Sequence, residues 1–335
     1  MTTLMIMVAL MMGCDNKAKD DAIEAGKIAE LPKAPRIEPV TIDLQDSGKS
    51  VLDRYDFNAE KPTKVELPLD LAEISGLAST PDGRLFGHND EEGAVQEIPY
   101  LGIGTAKKFF IGVPTIMEDL EGLAIVDDIY YLTNSSGTLF AFYENENAGI
   151  SKFTEVNTWL TKEFDIEGLC HDPSTNTLLM TCKEYPGVGY ELDNEKTIYS
   201  YSIDKKSVAP QPRFLIHVAE LEEILKVKKF LPSSIERDPE TGHFILLSGN
   251  DAAIIELTPD GRIIRAIALN PKRHPQPEGL AFGKNGELII GDEGSGLTLY
   301  KSRVPVAMDQ AVGAKAAPNI DSNRGDQTKD TNEGK

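Results

Sequence analysis

The chain has 335 residues, 40% hydrophobic and 26% charged, with a formal net charge of −20; this suits one large domain with extensions. The acidity is concentrated in the middle, where residues 61–302 hold 22 basic against 38 acidic groups. A body that acidic repels phosphate backbones, which excludes nucleic acid as a partner, and it attracts cations.

In chain order, the first feature is a ten-residue apolar run, residues 4–13 (LMIMVALMMG), ending at Cys14. It is too short to span a bilayer as a helix but has the length of the apolar region of a signal peptide. A small residue followed by Cys matches a bacterial lipoprotein cleavage site. Cys14 would then be the lipidated first residue of an exported protein held on the periplasmic or extracytoplasmic face of a membrane. The alternative is an uncleaved anchor or a mere apolar tail. Residues 15–60 are polar and Pro-punctuated, with a short helical stretch at 17–30, and read as a tether.

From Thr63–Leu69 (TKVELPL), itself a strand by composition, the chain becomes repetitive. An acidic or Ser residue, a small residue and an apolar pair lead into a turn, and an apolar strand follows, ending in Asn, Asp or Glu. Copies begin at Ser75-Gly76-Leu77, Glu121-Gly122-Leu123, Glu167-Gly168-Leu169, Ser233-Ser234-Ile235 and Glu278-Gly279-Leu280. Their spacings of 46, 46, 66 and 45 residues, filled by short strands, are those of propeller blades. Turn signals such as Pro81-Asp82-Gly83 and Lys284-Asn285-Gly286 recur between the first two strands. The last copy has only three strands, so Thr63–Leu69 is expected to complete it and close the ring. The fold class is all-β: a five-bladed propeller over 61–302, closed by an N-terminal strand. It lies between a signal segment (1–14) with its tether (15–60) and a tail (303–335) that lacks aromatic residues and reads as disordered.

The long interval holds two insertions: a loop at 184–196 and an amphipathic helix at 219–230 with Leu221, Ile224, Leu225 and Lys228 at helical spacing. Cys170 and Cys182 fall on adjacent strands of one hairpin with opposite orientation, Cys182 facing Glu167, so they read as buried free thiols.

In a blade the first strand lines the channel, and its start lies beside the end of the antiparallel second strand. Glu121, Glu167 and Glu278 therefore converge on one face, with Ser75 and Ser233 in the equivalent places. The second-strand ends bring Asn89-Asp90, Asn134-Ser135, Lys183-Glu184, Asn250-Asp251 and Asp292-Glu293 to the same face. A ring of carboxylates and amides suits a hard cation such as Ca²⁺. Its candidate ligands are Glu121, Glu167, Glu278, Asn89, Asn134, Asn250 and Asp292. No His or Cys repeats at these places, which argues against zinc. Alternatively, the same residues cap strands and turns.

These motifs, ISGLASTPDGRLFGHND, EDLEGLAIVDDIYYLTNS, FDIEGLCHDPSTNTLLMTCKE and PEGLAFGKNGELIIGDEG, resemble the SdiA-regulated family of bacterial envelope proteins across residues 61–302. The E-G-L-A element also occurs in phytase-like esterases and NHL-repeat propellers. The resemblance implies a five-bladed propeller with a calcium site on an envelope protein. Glu121, Glu167 and Glu278 match its Glu-Gly-Leu element; blades one and four lack the Glu. Two functions follow as expectations. One is a membrane-tethered module that binds an unknown small molecule or protein, or serves as a scaffold. The other is a Ca²⁺-dependent hydrolase of lactonase, phosphoesterase or phytase-like kind, with His88 or His274 as base.

Overall fold

The computed structural model describes residues 32, 34–45 and 50–304. The apolar run, Cys14, the expected helix at 17–30 and the tail from 305 onward lie outside the described residues. Five sheets, antiparallel except for a short parallel edge strand on two of them, are arranged as the blades of a propeller. Blade one is built on Ile74–Ser79, Leu85–Asn89, Ala94–Glu97 and Lys107–Ile111; blade two on Leu120–Val126, Ile129–Asn134, Leu139–Tyr143 and Phe153–Val156. Blade three uses Ile166–Asp172, Thr177–Cys182, Glu195–Ser202 and Phe214–His217. Blade four uses Pro232–Arg237, Phe244–Ser248, Ala253–Leu257 and Arg262–Ala268. Blade five contributes only Pro277–Phe282, Leu288–Asp292 and Gly296–Tyr300 from its own stretch, and the N-terminal Thr63–Val65 pairs antiparallel with Gly296–Tyr300 as its fourth strand.

The repeated Glu/Ser-Gly/Ser dipeptide has a geometric cause. In every blade the pairing of the first two strands slips at that point, between Ile74 and Gly76, Leu120 and Leu123, Ile166 and Leu169, Pro232 and Ser234, and Pro277 and Gly279. Each slip is a bulge that bends the inner strand where the five blades crowd the axis. The glycines allow that crowding. A Cβ on Gly122 would stand 2.6 Å from Leu169 Cβ of the next blade, and one on Gly168 would stand 2.8 Å from Ile235 N. The inner strands thus touch around a closed cycle.

Five apolar clusters fill the wedges between neighbouring blades. Phe86, Phe109, Tyr130 and Phe142 pack between blades one and two, and Leu246, Ile255, Leu179 and Ile198 between blades three and four. Cys182 and Cys170 are buried free thiols in two different wedges, consistent with opposite orientations. The bulge puts Ile166, not Glu167, opposite Cys182.

The tether expectation does not describe residues 34–45 and 50–60. These two stretches form a strap laid over the outside of blades three, four and five. Thr41–Ile42 adds a parallel strand to Arg262–Ala268, and Val51, Leu52, Tyr55 and Phe57 are buried between blades four and five. Scattered apolar residues with no single period do not register as an element in sequence. They are buried because each meets a gap left between blades. The inserted helix is also shorter than expected: it runs Val218–Leu225, because Lys226 takes the left-handed conformation (φ 58°) and ends it, leaving Lys228 outside. Val218, Leu221 and Leu225 are its buried residues. No helix among the described residues is long and apolar enough to cross a membrane.

Candidate functional site: an acidic channel mouth

Each bulge leaves one residue unpaired at the channel mouth, which places Ser75, Glu121, Glu167, Ser233 and Glu278 there. Ser75 Oγ donates to Glu121 Oε2 at 3.0 Å and Ser233 Oγ to the Pro277 carbonyl at 2.7 Å, so the serines stitch neighbouring blades. Gln276 Nε2 donates to Glu278 Oε1 at 2.9 Å. Glu167 is 5% exposed, and its Oε1 lies 2.7 Å from Lys183 Nζ, which also stands 4.0 Å from Asp165 Oδ2.

The three glutamates are electrostatically unfavourable as they stand. Burial and the charges of Glu167 and Asp119 push the Glu121 carboxyl far above the usual range. Burial likewise raises Glu167 against the pull of Lys183, with Asp165 and Glu278 adding to the rise. Glu278 is raised by burial and, against Gln276, by Glu293 and Asp90. Burial alone would lower Lys183, but Glu167, Asp165 and Glu121 hold its ammonium well above the ordinary lysine value.

The second-strand ends are not arranged as expected. Ile74 pairs with Asn89, Leu120 with Asn134, Ile166 with Cys182, Pro232 with Ser248 and Pro277 with Asp292. The structurally equivalent residues are therefore Asn89, Asn134, Cys182, Ser248 and Asp292. Asn134 and Asp292 continue the alternating rows Tyr130/Leu132 and Leu288/Ile290 and so point into wedges between blades. Asp292 is fully buried: Oδ2 accepts from His274 Nδ1 at 2.8 Å, and Oδ1 has no hydrogen-bond partner. Asn134 accepts from Thr138 N at 2.8 Å and donates to Glu118; Asn89 accepts from Glu92 N at 3.0 Å. Asn250 lies two residues beyond Ser248 in an exposed turn, where its neighbour Asp251 accepts from the amides of Lys228 and Lys229.

The residues one step further, Asp90, Lys183 and Glu293, interact electrostatically with Glu278 at the mouth. Lys183 is the group that sequence reasoning did not single out. The signal was available, since it is the one cation at these five second-strand ends.

Neither histidine candidate opens on the mouth. His88 is fully buried with Nδ1 2.8 Å from the Asn89 carbonyl oxygen, and burial pushes it down to about 4. His274 is buried between Asp292 and the Tyr300 hydroxyl, 2.6 Å from its Nε2. Among the described residues no group of three His, Cys, Asp or Glu side chains stands close enough together to hold a metal ion. The donor chemistry nevertheless fits a hard cation: the mouth presents carboxylate oxygens whose repulsion a positive charge relieves.

A family model described as SdiA-regulated matches residues 117–297. No curated protein matches the chain. Solved structures similar to it include the Myxococcus xanthus glutaminyl cyclase, 14% identical, covering 79% of this chain and 98% of that one with a TM-score of 0.47. The virginiamycin B lyase from Staphylococcus aureus is also 14% identical, covering 73% of this chain and 75% of that one with a TM-score of 0.39. At these identities and scores the likeness carries no functional argument.

Proposed function

This chain belongs to the SdiA-regulated family, and on that premise we propose that it is an envelope propeller that binds Ca²⁺ at its acidic mouth. It serves as a membrane-tethered binding or scaffold module. The observation that carries the reading is the trio Glu121, Glu167 and Glu278: three blades each commit a carboxylate, buried at Glu167 and half-buried at Glu121 and Glu278, raised by desolvation and by acidic neighbours, to one mouth. A divalent cation held by them would offset that repulsion and link parts of the ring distant in sequence. A hydrolase is not favoured, because the two histidines available as base are buried, His88 against the Asn89 carbonyl and His274 between Asp292 and Tyr300.

The test is thermal unfolding in millimolar Ca²⁺ and in EDTA. Saturation at a hundredfold excess over Kd stabilises by about 2.7 kcal/mol, a rise in Tm of about 5–10 °C. Glu121→Gln separates the two states by sign. A carboxyl whose folded pKa is raised binds protons more readily when folded, so in EDTA stability falls as pH rises above about 4.3, the unfolded glutamate value. The neutral amide is expected to melt above wild type in EDTA at pH 8, to match it near pH 4, and to lose most of the Ca²⁺ increment. Equal melting of the wild type in Ca²⁺ and EDTA would leave the glutamates as strand-capping groups.

Tethering is tested at Cys14. Replacing it by Ser is expected to release the protein from the membrane fraction or leave it uncleaved. Unchanged mass and fractionation would point to an uncleaved anchor instead.

A further inference from the structure

We propose that Lys183 is the resident cation of the mouth, an internal competitor that a divalent ion must displace, and that it thereby sets the affinity of the site and its preference for divalent over monovalent cations. This rests on the reading that the mouth takes cations. Lys183 is not a peripheral ion-pair partner. Its ammonium donates to Glu167 at 2.7 Å, stands 4.0 Å from Asp165, draws part of its raised basicity from Glu121, and lowers Glu278 from a distance. One positive charge is thus bonded to the glutamate of blade three and acts through space on those of blades two and five.

The backbone around Lys183 is pinned. Lys183 N donates to the Asp165 carbonyl at 2.9 Å, Glu184 N to Phe164 at 3.2 Å and Tyr185 N to Glu163 at 3.0 Å, while Tyr185 packs against the Phe164 ring at 5.1 Å. Only the side chain is free to leave. A lysine stem has four rotatable bonds and its head group is strongly hydrated in water, so an outward swing exchanges one set of charge contacts for solvent. A monovalent ion offers the carboxylates no more charge than the ammonium already there, and it must also be drawn from solution. A divalent ion offers twice the charge, which is the physical basis of the preference.

The experiment is Ca²⁺ titration by calorimetry, free of chelator, on wild type, Lys183→Met and Lys183→Arg, with Lys183→Gln as a second neutral variant should the methionine protein fold poorly. The expected result is at least tenfold tighter Ca²⁺ binding by the neutral variants, with wild-type-like affinity in Lys183→Arg. In EDTA, 200 mM Na⁺ should raise the Tm of the neutral variants more than that of wild type. Binding by the neutral variants alone also supports the proposal, as the extreme of the same competition. Equal affinity in wild type and Lys183→Met overturns it while leaving the cation site standing, and so does weaker binding by the variant, which would make Lys183 a positioning residue for Glu167. No binding by any of the proteins overturns the cation reading itself, and this inference with it.

Discussion

A chain lacking residues 61–70 is expected to lose its single cooperative unfolding transition and to aggregate in a concentration-dependent way. Thr63–Val65 supplies the outer strand of blade five, where Thr63 pairs with Leu299 and Val65 with Leu297, and Lys64 Nζ donates to Thr298 Oγ1 at 2.6 Å. Without it, Gly296–Tyr300 becomes an open edge beside buried Leu297 and Leu299, a template for pairing with another chain. The deletion also joins Glu60 directly to Leu71, which shortens the link between the strap and blade one. Differential scanning calorimetry and light scattering at several concentrations provide the check, with a chain ending at residue 304 as the control that should unfold as wild type does. A deletion protein that stays monomeric and unfolds in one sharp transition would mean that the ring holds without its N-terminal strand.

Glu256→Ala is expected to destabilise the propeller by about 3–5 kcal/mol, the range for removing one partner from a buried charged pair. Glu256 is fully buried in blade four and is the clasp of the strap. It accepts from Ser50 Oγ at 2.6 Å, Val51 N at 2.9 Å, Leu52 N at 3.1 Å and His243 Nδ1 at 2.6 Å. Alanine strands all four donors in a dry site. Burial alone would raise this carboxyl, yet the four donors hold it below the ordinary glutamate value. A depressed folded pKa contributes stability that is present above the unfolded value of about 4.3 and lost as pH falls through the folded one. The gap between wild type and variant, measured by urea unfolding, should therefore be full at pH 7 and narrow below about pH 4. A gap below 1 kcal/mol at pH 7 would show that the strap is held by Tyr55 and Phe57 packing, not by the clasp.

The blades and their closure were legible because both rest on local, repeated chemistry. Strand alternation, a turn every hairpin and a recurring Glu/Ser-Gly/Ser step each leave a mark within a few residues. The missing fourth strand of blade five followed from counting. Even the crowding at the axis is written in the glycines, although the reason for them, a next-blade backbone within 3 Å of an absent Cβ, appears only when the ring is assembled.

What the sequence by itself determined, then, is the five-bladed all-β ring, its N-terminal closing strand and the convergence of Glu121, Glu167 and Glu278 on one mouth. The tertiary structure decided which neighbours those glutamates have. A strand alternates its side chains with a period of two, so a register set one residue away sends Asn134 and Asp292 into the wedges and Asp90, Lys183 and Glu293 toward the mouth. The bulge that fixes that register forms only where five inner strands compete for space. Tertiary structure also decided the strap, because Ser50 meets Glu256 across 206 residues of chain. No local pattern encodes such a pairing; it exists because blades four and five, once packed, leave a groove that Val51, Leu52, Tyr55 and Phe57 fill.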